Sequence, residues 1–243
     1  MLSKNDIKLI KQLEQKKYRL RNGLFVAEGP KVVGDLLKCG FQPWKVFATP
    51  DFRSPHADIV EVTPDELRRI SFLQHPQQVL AVFRLPEQGQ APEEPHGLCL
   101  ALDGVQDPGN LGTIIRIADW FGIGTIYCSP DTADAWNPKV VQATMGSIAR
   151  VSIIYTPLAE LLRSTTLPVY GTLLDGQDLY QQQLSADGII VMGNEGNGIS
   201  AEIRQLVSHR LLIPSYHQGD TAESLNVAIA TALTCAEFRR RSQ

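Results

Sequence analysis

From Leu98 onward, short apolar runs alternate with helical patterns, and no other feature of the chain restricts its fold as much. Residues 98–102, 125–128, 151–155, 169–174, 188–192 and 210–213 are apolar segments of strand length. Between and after them, residues 110–121, 138–149, 158–164, 199–207 and 224–239 carry apolar side chains at helical spacing. Strands that are apolar on both faces need cover on both faces, and helical crossovers make neighbouring strands parallel. The expectation is an α/β domain built on a parallel sheet, with ligands gathering at the carboxyl ends of its strands.

Ahead of this domain, residues 85–97 hold three prolines, two glycines and almost no apolar side chains. Such a composition joins two cores rather than belonging to one. The predicted division is a first domain over 1–88, a linker over 89–97 and a second domain over 98–243. The first domain reads as a small α/β module. A basic helix spans 5–17, strands fall at 24–27, 45–48, 59–62 and 78–83, and Gly29-Pro30 opens a helix that Cys39-Gly40 closes. Thr63 and Pro64 start one more helix as cap and first turn.

Charge divides along the same line. The whole chain carries −3, but residues 1–88 carry +4 and residues 89–243 carry −7. Lys4, Lys8, Lys11, Lys16, Lys17, Arg19 and Arg21 crowd the first 21 residues. A cluster of this kind is either a solvated helix face or a docking footprint for a polyanion. On the second reading, Lys11, Lys16, Lys17, Arg19 and Arg21 are the candidate contacts to a polyanion. The adjacent cations Arg239, Arg240 and Arg241 read better as a charge complement to a helix end.

Several classes are set aside. The longest apolar runs fall short of a membrane span, and Met1-Leu2-Ser3-Lys4-Asn5-Asp6 lacks the apolar core of a secretion signal. The scattered Cys39, Cys99, Cys128 and Cys235 suit reduced thiols in the cytoplasm, and the five histidines show no ligand spacing, so no metal is expected. No G-x-G-x-x-G fingerprint or P-loop is present.

Three polar or glycine-rich loops fall at expected strand ends. Residues 103–110 precede a helix that carries Arg116; Gly193-Asn194-Glu195-Gly196-Asn197-Gly198 forms the second; residues 214–223 lead into Ser224-Leu225-Asn226. Glycine loops let a ligand approach the backbone closely. Asn110 reads as a helix cap or a pocket residue, Arg116 as half of an ion pair or a ligand contact, and Ser224 as the cap of the last helix or a pocket residue. Asn226, inside the expected helix, is harder to explain by propensity.

Taken together, Asn110-Leu111-Gly112-Thr113-Ile114-Ile115-Arg116-Ile117-Ala118, Gly193 to Ser200, and Ile213-Pro214 with Ser224-Leu225-Asn226-Val227-Ala228 resemble the SpoU (TrmH) branch of the SPOUT RNA methyltransferases. Phe25-Val26-Ala27-Glu28-Gly29 and Gln77-Gln78-Val79-Leu80-Ala81-Val82 are similar to that family's ribosomal-protein-like substrate-binding domain. One departure is the nine-residue stretch 215–223, longer than the family's usual spacing.

The resemblance implies a trefoil knot in the parallel-sheet domain, a homodimer, and S-adenosyl-L-methionine as methyl donor to a ribose 2′-hydroxyl of structured RNA. Ribosomal RNA of the large subunit is favoured over tRNA. Leu173, Gly193, Gly198, Ile213 and Leu225 would hold the cofactor, and Asn110, Arg116, Glu195, Ser224 and Asn226 would form the catalytic pocket. A guanidinium is a poor base, so Arg116 is expected to grip a phosphate and stabilise the developing alkoxide, with Glu195 orienting it. The rival reading is a catalytically inactive RNA-binding protein on the same fold.

Overall fold

Ser3 opens the first helix, α1 (Lys4–Gln12), by a reciprocal cap. Its hydroxyl accepts from the Asp6 amide, and the Asp6 carboxylate accepts from the Ser3 amide. The computed structural model describes residues 2–86, 94–217, 219 and 224–241. Most of the expected linker and of the lengthened 215–223 stretch lie outside the described residues. The chain divides into two units, Met1–Glu87 with Asp134–Arg150, and Gln88–Ala133 with Val151–Gln243.

In the first unit, α1 is followed by α2 (Lys16–Asn22), β1 (Leu24–Glu28), α3 (Pro30–Lys38), β2 (Pro43–Ala48), β3 (Ile59–Glu61), α4 (Pro64–Ile70) and β4 (Val79–Arg84). The sheet runs β1-β4-β2-β3, with β4 antiparallel to both of its neighbours and β2 parallel to β3. Ile10, Leu13, Phe47, Leu80 and Val82 are fully buried in its core.

The single helix expected over 5–17 is in fact two, and the break overturns one candidate RNA contact. Arg19 is 2% exposed. Its Nη1 donates to the carbonyls of Leu13 (2.8 Å) and Glu14 (2.7 Å), which α1 leaves unpaired at its end. Its Nη2 pairs with Asp134 at 2.5 Å. Arg19 is therefore a structural bracket of the first unit and is not available to RNA. Lys11 is partly committed too: its Nζ donates to the Ser71 carbonyl at 2.7 Å and lies 5.0 Å from the Phe72 ring centre. Lys16, Lys17 and Arg21 are exposed on α2.

The second unit begins with β5 (Leu98–Asp103), α5 (Pro108–Trp120) and β6 (Thr125–Cys128). The next segment, Asp134–Arg150 with α6 (Pro138–Ala143), belongs to the first unit rather than to the domain expected over 98–243. Three contacts explain this. Trp136 lies 4.6 Å from Phe25 and 6.1 Å from Phe41 between ring centres, and Asp134 takes the Arg19 charge. The helix expected to reach 149 stops at Ala143, and the chain turns through Met145 and Gly146 at positive φ.

The second unit resumes with β7 (Ser152–Tyr155), α7 (Leu158–Ser164), β8 (Val169–Asp178), β9 (Gly188–Gly193), α8 (Ala201–Leu206), β10 (His209–Leu212) and α9 (Val227–Arg241). All six strands are parallel, in the order β10-β8-β9-β5-β6-β7. The central β5 and β9 are buried along nearly their whole length, as a doubly covered sheet requires. Their register sets Asp103 opposite Gly193, so the loops that follow these two strands emerge side by side.

β8 departs from regularity. It pairs with β10 through Gly171 and again from Gln177, and residues 172–176 bulge out between the two paired stretches. Gly176 is required there, because a Cβ would stand 2.5 Å from the Leu211 carbonyl carbon. α9 packs on α5. The terminal arginines serve the fold: Arg239 donates to the carbonyls of Phe121 and Gly122 at the end of α5, and Arg240 and Arg241 pair with the buried Glu237. Among the described residues, no helix is long and apolar enough to cross a membrane.

Candidate active site

Asn194, the first residue after β9, organises the glycine loop. Its Oδ1 accepts from the amides of Gly196 (2.9 Å) and Asn197 (3.0 Å), and its backbone pairs both ways with Gly198 at 2.9 Å. Its Nδ2 donates to the Gly104 carbonyl at 2.7 Å, tying this loop to the one after β5. The turn is so tight that a Cβ on Gly193 would lie 2.3 Å from both Gly198 C and Ile199 N, and Gly198 holds φ +69°. Asp103 fixes the far side by accepting from the Ser200 amide at 2.7 Å.

Beside this loop, three of the expected catalytic residues join in one hydrogen-bonded chain. Asp107, not Asn110, caps α5, accepting from the Asn110 amide at 2.8 Å. The Asn110 side chain is thereby released to bridge: its Nδ2 donates to Glu195 Oε1 (3.0 Å) and its Oδ1 accepts from Asn226 Nδ2 (2.9 Å). Asn226 in turn caps α9, its Oδ1 accepting from the amides of Ala228 (2.9 Å) and Ile229 (3.3 Å). The helix expected from 224 therefore starts at Val227, which accounts for an asparagine at 226.

This chain is directional. Asn226 Oδ1 accepts backbone N–H groups, so its amide nitrogen must face Asn110; the Asn110 nitrogen must then face a carboxylate. Glu195 also accepts from the amides of Gln106 and Asp107, both at 3.3 Å. Partial burial works to raise its carboxyl, but the hydrogen bonds from Asn110 and these amides outweigh it and hold the group below the usual carboxylate range. Its contribution to stability is thus present above the ordinary glutamate value and lost as pH falls through the lowered one.

A cavity of about 590 Å³ adjoins the chain, in the size range of small-molecule sites. Leu173, Gly193, Gly198, Ile213 and Leu225 all line it, as do Glu195 and Ser224. The β8 bulge forms one wall, which brings Leu173 into position, and places Asp175 on the wall, where it pairs with Arg204 and, at 3.4 Å, with Arg210.

Arg116 is not part of the chain. It is exposed on α5 and, among the described residues, makes no hydrogen bond or ion pair. The expectation that Glu195 orients it is corrected: the carboxylate is taken up by the β5–α5 loop and Asn110. Ser224 is exposed at the cavity, and among the described residues its side chain makes no hydrogen bond.

Sequence reading missed Asn194 and Asp107. Both carried a usable signal, because asparagine or aspartate just after an apolar strand or just before proline favours a side-chain turn or a helix cap. Among the described residues, no group of three or more histidine, cysteine or acidic side chains is arranged to hold a metal.

Comparison with known proteins agrees with this architecture. Residues 97–236 match the SpoU rRNA methylase family, and residues 4–81 match an MRM3-like substrate binding domain. Over 238 residues, 94% of each chain, the sequence is 32% identical to the 23S rRNA (guanosine(2553)-2′-O)-methyltransferase RlmP of Bacillus subtilis (strain 168). A solved TrmH-family structure from Porphyromonas gingivalis is 44% identical and matches at a TM-score of 0.90 over 99% of both chains. An AdoMet-bound rRNA methyltransferase from Sinorhizobium meliloti is 30% identical, with a TM-score of 0.86 over 100% of this chain and 98% of that one. With its parallel sheet, its glycine loop and a match over most of its length, the chain belongs to the SpoU rRNA methylase family, the TrmH branch of the SPOUT RNA 2′-O-methyltransferases.

Proposed function

We propose that this protein transfers a methyl group from S-adenosylmethionine to a ribose 2′-hydroxyl of ribosomal RNA. The observation that carries the reading is one cavity lined by the glycine loop and by Glu195, the carboxylate end of the Glu195–Asn110–Asn226 chain. Large-subunit RNA, and a guanosine within it, are the finer part of the proposal, supported by the name of the Bacillus subtilis relative. A homodimer, a knotted C-terminal segment and a cytoplasmic location belong to it as well. The packing of α9 on α5 is compatible with the knot, and four unpaired cysteines, three of them buried, suit a reducing compartment.

The cavity fits the cofactor on its own chemistry. Leu173, Met192 and Leu225 offer apolar contact to a purine, and the backbone around Gly193 and Gly198 offers peptide groups with no Cβ in the way. When bound, S-adenosylmethionine supplies an electrophilic methyl on a sulfonium. The protein must then bring the ribose oxygen into line and favour its anionic form. Asn110 and Asn226 each keep one amide N–H beyond the internal chain, a donor suited to that oxygen. Glu195 acts as a positioning residue, since its lone pairs are already engaged by three donors. Arg116 supplies positive charge for the neighbouring phosphate.

Purified protein with labelled S-adenosylmethionine and unmodified large-subunit rRNA should yield one 2′-O-methylated nucleotide. Binding of both ligands without transfer would favour the inactive RNA-binding alternative.

The glycine loop gives a sharper check on the cofactor half. Gly193→Ala forces backbone apart at three atoms, an overpacking cost of about 1–3 kcal/mol. The expected result in urea unfolding is a lower midpoint and loss of the extra stability that S-adenosylmethionine confers on the wild type. Undiminished ligand stabilisation would place the cofactor elsewhere.

A further inference from the structure

Two segments of the first unit have no role in the reading above: β1 with its closing Glu28-Gly29, and the stretch that leads from α4 into β4. They meet. Glu28 is buried at the end of β1, an expensive position for a carboxylate. It accepts from the Ser71 hydroxyl and, at 2.8 Å, from the Phe72 amide. Ser71 Oγ also accepts from the Leu73 amide at 2.9 Å, and Lys11 clamps the Ser71 carbonyl from α1. Burial pushes the Glu28 carboxyl up, against the pull of its hydrogen bonds from Ser71 and Phe72.

The other end of the loop is held as firmly. Gln78 has φ +48°, a left-handed backbone that a side-chain-bearing residue seldom adopts. Its carbonyl accepts from the Thr49 amide at 2.8 Å, beyond the end of β2. Between these clamps, Pro76 restricts the backbone further. The side chains of Gln74, His75, Gln77 and Gln78 are exposed, and among the described residues none makes a hydrogen bond. The molecule thus fixes a loop rigidly while leaving four donor- and acceptor-bearing side chains without internal partners.

We infer that the 71–78 loop is a readout surface for RNA bases, with Gln74, His75, Gln77 and Gln78 as its contacts and Glu28 as the positioning residue beneath them. Uncharged amide side chains pair with base edges in unpaired RNA, where those edges are accessible. Lysines and arginines serve the phosphates and carry no sequence information. The division of labour is therefore spatial: cations on α2 attract the backbone, and the loop discriminates. This inference rests on RNA being the substrate of the proposed reaction.

The test uses the full-length protein, labelled S-adenosylmethionine and an unmodified large-subunit rRNA transcript. In the variant Gln74→Ala/His75→Ala/Gln77→Ala/Gln78→Gly, glycine at 78 keeps the left-handed turn available while removing the side chain. The expected result is an RNA KM raised about tenfold or more, with the S-adenosylmethionine KM and the salt dependence of RNA binding unchanged. Glu28→Ala should reproduce the RNA defect, and Glu28→Gln, whose oxygen still accepts from the Phe72 amide while its Nε2 donates to Ser71 Oγ, should restore most of it. If Glu28→Ala does not fold, the surface variant still decides the matter. An unchanged RNA KM in that variant overturns the loop assignment alone. A wild type that neither binds nor methylates the transcript overturns both the loop assignment and the function beneath it.

Discussion

Arg116→Ala is expected to lower methyl transfer about 10²–10³-fold, the usual loss when a single preorganised donor to developing negative charge is removed. Affinity for S-adenosylmethionine should stay within about twofold. The reasoning begins with the helix. Leu111, Ile114, Ile115 and Ala118 bury one side of α5, and Arg116 emerges on the exposed side with Thr113 and Trp120. A cation that serves folding would be paired or packed, yet Arg116 makes no ion pair among the described residues. It also does not line the cavity that the expected cofactor residues share. On the proposed reading its charge serves a group that arrives from solvent, and phosphate with a forming alkoxide is the chemistry a guanidinium fits. Single-turnover transfer and calorimetric titration of the cofactor measure the two halves separately. Full turnover by the variant would remove Arg116 from the reaction, and a matching loss of cofactor affinity would make it a structural residue.

The second large effect concerns stability. Arg19→Ala should destabilise the protein by about 3–5 kcal/mol, because it strips two end-of-helix carbonyls of their donor and leaves Asp134 without its cation. Denaturant unfolding checks this. At temperatures where the variant is folded, the salt dependence of its RNA binding should equal that of the wild type. Replacing Lys16, Lys17 and Arg21 together should do the opposite, flattening the salt dependence with little change in stability, because each exposed cation that meets a phosphate releases counterions. If Arg19→Ala unfolded at the wild-type midpoint and flattened the salt slope, the bracket assigned to it would be wrong.

These two arginines show why the same residue type calls for different readings at different places in one sequence. In the linear chain, Arg19 stands among Lys16, Lys17 and Arg21, and nothing local separates it from them. Its burial depends on Asp134, 115 positions away, and on the place where α1 stops. Arg116 presented the reverse difficulty. Set among apolar helix residues, it invited an internal partner, but the face it occupies is one the packing leaves open. Asn110 and Asn226 fell between these cases. Asn110 read as a possible cap, a role that Asp107 takes instead, and Asn226, expected inside a helix, caps it; the bond between their side chains joins the starts of two helices that only packing brings together.

Local chemistry settled a good deal of this protein without reference to the fold. Apolar runs and their spacing defined every strand of the parallel sheet to within a few residues, since burial on two faces leaves a continuous apolar signature. Glycine at 193 and 198, and the cap at Thr63, follow from steric and hydrogen-bonding rules that act over a few residues. Tertiary structure alone decided three things: the assignment of Asp134–Arg150 to the first unit, the bulge of β8 that opens the cavity wall, and the order of the hydrogen bonds from Glu195 through Asn110 to Asn226. Each depends on which distant groups are left to satisfy a buried charge, an interrupted ladder or an unpaired amide. That accounting closes only when the whole chain is packed.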